Sequence, residues 1–142
     1  MATKSFRTAT AIALACLMPM LSPAATLTVD IKGVRAQSGL VLVSVLGSAE
    51  AWQGQAKPAG QNGAKPSGDA LRFEFPDLAP GSYAVKVMHD ENGNGKLDSN
   101  FVGMPTEGYG FSNNPRVMRP ATYEEARFRL TEQGTTVSIE LH

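Results

Sequence analysis

A chain of 142 residues with 13 Lys and Arg against 13 Asp and Glu carries no formal net charge, so it lacks the basic footprint expected of a binder of nucleic acid or of an anionic membrane surface. Cys16 is the only cysteine, which excludes an internal disulfide, and two histidines, His89 and His142, are too few for an imidazole metal cluster.

The first residues, 1–24, read as an export signal. Lys4 and Arg7 supply a positive start, residues 9–18 an apolar run, and Ser22-Pro23-Ala24 the small-residue approach to a cut before Ala25. The run is far shorter than the ~20 residues a bilayer span needs. Cys16 also admits a lipoprotein reading, which is disfavoured because Ala13 stands where a larger aliphatic residue is usual. Cleavage removes two bases and the only thiol, so the expected mature domain, residues 25–142, is acidic by two charges, free of cysteine, and periplasmic or secreted. Such a domain must be held by packing, with help from a bound ion where one is available.

Period-two alternation then recurs along the chain, the mark of half-buried strands. Leu27, Val29 and Ile31 alternate with polar neighbours. Residues 39–46, rich in Val and Leu, fit a strand buried on both faces. Residues 48–53 fit a helical turn, and residues 54–69, rich in Gly, Ala, Pro and Gln, a long mobile loop. Leu71, Phe73 and Phe75 mark the next strand. Asp77-Leu78-Ala79-Pro80-Gly81 marks a tight bend in which Pro80 fixes φ and Gly81 supplies a positive one. Tyr83, Val85 and Val87 follow as a strand, and a weaker strand is expected at 101–104. Residues 122–126 fit a second helical turn. Ala126, Phe128 and Leu130, then Val137, Ile139 and Leu141, form two last strands, joined by an expected hairpin at Glu132-Gln133-Gly134. Short strands at regular spacing with Gly and Pro turns predict an all-β fold, an antiparallel β-sandwich of about seven strands.

The densest chemistry lies at Asp90-Glu91-Asn92-Gly93-Asn94-Gly95-Lys96-Leu97-Asp98. Alternating Asp and Asn with glycines between them is how a short loop turns oxygen ligands toward one hard cation. Against the helix-loop-helix calcium template, Asp90, Asn92 and Asn94 stand at ligand places one, three and five. Gly95 is at the turn, the Lys96 carbonyl at place seven and Asp98 at nine, but Phe101 replaces the bidentate Glu at twelve. The flanks are strand-like rather than helical. The reading is therefore a structural Ca²⁺ site of modest affinity on a β scaffold, with Glu91 and Glu107 the nearest further carboxylates; its competitor is an empty polar turn built on two Asn-Gly corners.

A second unusual stretch runs from Gly103 to Pro115, where Tyr109 and Phe111 alternate with glycines beside Asn113 and Asn114. Together with Trp52 and Glu107 these residues make a candidate surface for an envelope glycan or protein partner; the alternative is a loop folded over the sandwich end, with aromatics as plugs.

The run Phe73-Glu74-Phe75-Pro76-Asp77-Leu78-Ala79-Pro80-Gly81-Ser82-Tyr83 resembles the strand-turn-strand signature of transthyretin-like (prealbumin-like) and carboxypeptidase-regulatory-like sandwiches, which implies fold and leaves function open. Joined to the motif from His89 to Asp98, to Gly103-Met104-Pro105 with Glu107 to Asn114, and to Tyr123-Glu124-Glu125-Ala126, it resembles a bacterial exported family catalogued as domain of unknown function 2141. That resemblance implies an exported sandwich and supplies no activity. The leading expectation is thus a non-enzymatic exported domain. A metal-assisted hydrolase using His89, Asp90 and Glu107 is the weakest reading, because no nucleophile triad, metal-binding His pair or phosphate loop accompanies them.

Overall fold

The computed structural model describes residues 23–142, so the expected signal lies outside the described residues up to position 22. In chain order the elements are β1 (Ala25–Lys32), β2 (Leu40–Leu46), α1 (Ala49–Trp52), β3 (Gly60–Ala64), β4 (Ala70–Leu78), β5 (Gly81–Asp90), β6 (Tyr109–Phe111), α2 (Tyr123–Ala126), β7 (Phe128–Leu130) and β8 (Thr135–Glu140). Strands β4, β1 and β8 form one sheet in that order; β3, β2, β5 and β6 form the other, with β7 also paired to β5.

Alternation builds the sandwich. Leu27, Val29 and Ile31 on β1, Phe73 and Phe75 on β4, and Ile139 on β8 meet Val41, Val43 and Val45 on β2 and Val85 and Val87 on β5 in one buried cluster. At roughly 1.5–3 kcal/mol for each large apolar side chain taken fully out of water, this cluster is the main source of stability. A smaller core lies on the outer face of the second sheet. There Leu46 and Ala84 are covered by Ala51, Trp52, Ala121 and Ala126. The helical turns expected at 48–53 and 122–126 are α1 and α2. The Ser48 side chain accepts from Ala51 N at 3.1 Å, and Thr122 and Glu125 cap each other reciprocally. Only at Leu46 is β2 buried on its outer face; Leu40 is exposed.

Four local readings differ from what the chain adopts. Residues 60–64, expected in a mobile loop, pair with β2 as β3. Residues 101–104 form no strand: Asn100 Oδ1 accepts Val102 N at 3.1 Å and Met104 N at 3.0 Å, folding them into a turn that leaves Phe101 fully exposed. The turn at 132–134 is not a hairpin. It carries the chain from β7 in one sheet to β8 in the other, so β8 runs parallel to β1, the one parallel pair among the ladders of the described residues. In the 77–81 bend the positive φ falls on Asp77 (61°) and not on Gly81. Leu78 plugs the sandwich end, and the Tyr83 hydroxyl donates to the Ala79 carbonyl at 2.7 Å to hold the corner.

The glycine of the Tyr109-Gly110-Phe111 strand is a spacer. A Cβ on Gly110 would sit 2.7 Å from Ile139 Cγ2 and 2.9 Å from the Glu140 carbonyl, so only glycine lets β6 close against β8 while both aromatics point outward. Gly110→Ala is expected to destabilise the domain by about 1–3 kcal/mol through overpacking, read from the urea midpoint. On α2, hydrogen bonds from Arg119 and from Thr122 N hold the Glu125 carboxyl at about 2, below its ordinary 4.5. A depressed folded value stabilises fully above the unfolded range and is lost as pH falls toward the folded one. Glu125→Gln should therefore flatten the loss of stability between pH 4.5 and about 2, measured by urea unfolding across that window.

Candidate functional site

The loop of interest leaves the end of β5 beside the start of β2. Gly39, at φ 75°, lies so close to the Asp90 backbone that any side chain there would collide with the Asp90 carbonyl. This close approach lets the Ser38 hydroxyl donate to the Glu91 carbonyl at 3.0 Å and brings the Ser38 carbonyl 2.9 Å from His89 Nε2, which donates to it. His89 is fully buried, and its Nδ1 has no hydrogen-bond partner.

Beyond Asp90 the chain curls around its own polar side chains. The buried Asp90 carboxylate accepts Asn94 N at 3.0 Å and Gly95 N at 2.8 Å. Asn92 Oδ1 accepts Asn94 N, and Asn94 Oδ1 accepts Lys96 N, each at 3.1 Å. Gly93 and Gly95 supply the positive φ values, 74° and 81°, that make the curl. The side-chain nitrogens of Asn92 and Asn94 then converge on Asp98, at 2.5 Å and at 2.8 and 2.9 Å. These donors hold the Asp98 carboxyl below its usual range, Asn94 contributing most and Asn92 next.

Glu107 closes the loop from outside. It is buried, and its carboxylate accepts Glu91 N at 2.9 Å and Asn92 N at 3.3 Å on one oxygen and Asp98 N at 2.9 Å on the other. Glu91 reciprocates by accepting Gly108 N at 3.1 Å and Arg35 Nε at 2.9 Å. Two glutamates thus cross-brace the loop and the segment returning past it.

The structure therefore ties Asn92 and Asn94 to Asp98 through their side-chain nitrogens, while Asp90 accepts backbone N–H groups of the same loop and Lys96 enters through its N–H. Among the described residues no group of three or more His, Cys, Asp or Glu side chains converges as a metal site. An ion here would draw on two carboxylates, two amide oxygens and backbone carbonyls. The donors are all oxygen, which suits a hard cation. Each Asn oxygen already accepts one N–H and keeps a second lone pair.

The aromatic candidates separate. Trp52 is buried, its Nε1 donating to the Ala121 carbonyl at 3.1 Å and its ring 5.6 Å from that of Phe111. Lys86 Nζ sits 4.2 Å above the indole and donates to the Trp52 carbonyl; burial holds this lysine below its usual range. Tyr109 and Phe111 remain half-exposed on the floor of a groove of about 540 Å³ that also meets Arg116, Met118 and His142. Asn113 donates to the Glu125 and Arg127 carbonyls, at 3.1 and 2.8 Å. Asn114 donates to the Ser138 carbonyl at 2.9 Å and accepts Glu140 N at 2.9 Å. Both asparagines are thereby engaged with backbone, at positive φ (64° and 45°). Sequence reasoning passed over Arg35, whose role depends on two segments far from it in sequence, and Arg116 and Met118, which no local motif marks.

The fold and this loop define a β-sandwich with a glycine-rich acid-amide loop at one rim. A family model described as an uncharacterized protein conserved in bacteria (DUF2141) matches residues 29–138, and the chain belongs to that family. It matches no curated protein and no solved structure. Among the described residues no helix is long and apolar enough to cross a membrane. Glu107→Gln keeps the size of the brace but turns an N–H₂ toward a backbone N–H. It is expected to cost about 1–3 kcal/mol in urea unfolding, with Glu107→Ala costing at least as much.

Proposed function

We propose that this chain is an exported, non-enzymatic sandwich domain of the transthyretin-like kind, located in the periplasm or outside the cell, whose 90–98 loop takes Ca²⁺ as a structural ion. The observation that carries the reading is the hydrogen-bonded set of Asn92, Asn94 and Asp98 in a loop that also curls over the Asp90 carboxylate, with Glu107 holding both ends of the loop. The side chains of Asp90, Asn92, Asn94 and Asp98 and the Lys96 carbonyl would hold the ion, which would supply positive charge to a loop that carries two aspartates. Entry of a cation must displace the two asparagine N–H groups from Asp98, and only two formal negative charges compensate. Both facts favour weak binding, in the roughly 10⁻⁴–10⁻³ M range of extracellular sites.

The non-enzymatic reading is supported by how the reactive groups are spent. His89 is buried under Gly108, Asp90 accepts two backbone N–H groups and Glu107 three, so each is tied into the loop's own hydrogen bonding. A second reading, a module binding an envelope glycan or protein, is favoured by the groove over Tyr109 and Phe111, with Trp52 acting behind the floor instead of at the surface.

At 10 mM Ca²⁺ and a dissociation constant of about 1 mM, mass action adds about 1.4 kcal/mol, or roughly 5 °C in melting temperature relative to chelator. Asp98→Asn should abolish that shift, and 10 mM Mg²⁺, which demands stricter octahedral geometry, should give less of it. Melting curves that coincide in calcium and in chelator would remove the ion from the account.

A further inference from the structure

Two adjoining cavities, of about 540 and 240 Å³, share Tyr109, Phe111, Val117, Met118 and Arg119 in their walls. Together they fall in the size range of small-molecule sites. Their chemistry is graded from one end to the other. The larger cavity is edged by Arg116, Arg119 and His142 against a single acid, Glu140. The smaller adds Leu97, Met104, Pro105 and Pro120 and has no acidic lining.

The two arginines differ in availability. Arg119 is committed to Glu125 through two hydrogen bonds, at 2.7 and 2.9 Å. Arg116 has no carboxylate within ion-pair distance among the described residues, whereas Arg35, Arg72, Arg119 and Arg127 each have one. At the apolar end Met118 is 93% exposed and Met104 47%. Unbranched thioether side chains left in water beside a groove are able to fold over an apolar guest and adapt to its shape.

We propose that this groove binds an apolar carboxylate, an amphiphile whose tail lies between Met104 and Met118 over Tyr109 and Phe111 and whose anion is met by Arg116. A planar guanidinium with no internal partner matches a carboxylate in a two-point pair, and the apolar end excludes a ligand charged throughout. The site requires no cation, so it stands or falls apart from the calcium loop.

Trp52 supplies the readout: it is the only tryptophan and its ring packs on Phe111 beneath the groove. Dodecanoate is titrated below its micellar concentration, in chelator, with Trp52 fluorescence and calorimetry read in parallel. Saturable binding is expected, at least tenfold weaker for dodecyltrimethylammonium and for dodecanol, and absent for acetate at the same concentrations. Arg116→Gln should weaken dodecanoate at least tenfold, and Met118→Asp should abolish binding, with wild-type melting temperatures in both. Met104→Ser replaces Met118→Asp if the latter fails to fold. Neither heat nor fluorescence change, equal affinity for the cationic and anionic probes, or wild-type affinity in Arg116→Gln would each overturn the proposal. Because every titration is done in chelator, loss of the calcium reading leaves the result unaffected.

Discussion

The carboxylate of Glu107 is the constraint on which the polar end of this molecule depends. Its two oxygens accept N–H groups from Glu91, Asn92 and Asp98, so a single buried side chain fixes where the loop leaves β5 and where it ends. Buried N–H groups without a partner are costly, and a glycine-rich loop has little else to order it. Glu91 completes the brace by tying Gly108 and Arg35 to the loop. With both ends held, Asn92 and Asn94 turn their side-chain nitrogens onto Asp98, and Asp90 takes the backbone N–H groups of Asn94 and Gly95.

That polar end is joined to an apolar body in which each layer answers the other. The inward rows of β1, β4 and β8 fill the space against β2 and β5, and the outer face of the second sheet is covered only where α1 and α2 lie on it. Beside β6 that face meets residues of the 97–105 limb and the 115–120 segment, and between them lies the groove floored by Tyr109 and Phe111. One stretch of chain therefore serves two places: its beginning closes the acid-amide loop and its end walls the groove.

How much of this was legible in the sequence follows from what kind of force sets each part. Alternation identified Leu27, Val29, Ile31, Phe73, Phe75, Val85, Val87 and Ile139 correctly, because burial of one sheet face imposes a period of two. Strand β3 was invisible because its residues, Gly60 to Ala64, bury almost nothing; pairing with β2 alone makes it a strand. Phe101 and Val102 misled in the opposite sense, since apolar residues suggest a strand only where there is something to pack against, and here both face water. The turn at 132–134 has the same glycine, at φ 89°, that a hairpin would use. Which sheet the next strand joins is settled by the pairing of β8 with β1, a contact distant in sequence. At the loop, the spacing of Asp and Asn marked side chains of which Asn92, Asn94 and Asp98 bond to one another and Asp90 to the loop's backbone. Glu107 was recognised as a nearby carboxylate, a candidate surface residue and a candidate hydrolase residue but not as the brace, because its partners are backbone N–H groups, which every residue except proline carries.

The amide of Asn114 covers part of an open strand margin. It offers an N–H to the Ser138 carbonyl and takes the Glu140 N–H, the two bonds one peptide unit of an adjoining strand would make. The outer margin of β8 is thus occupied by a single side chain imitating a neighbour, while on the far margin of the same sheet Pro76 in β4 contributes no N–H to an incoming strand. A sheet terminated in this way offers poor purchase at these positions to another molecule's backbone, so its two margins resist edge-to-edge strand addition.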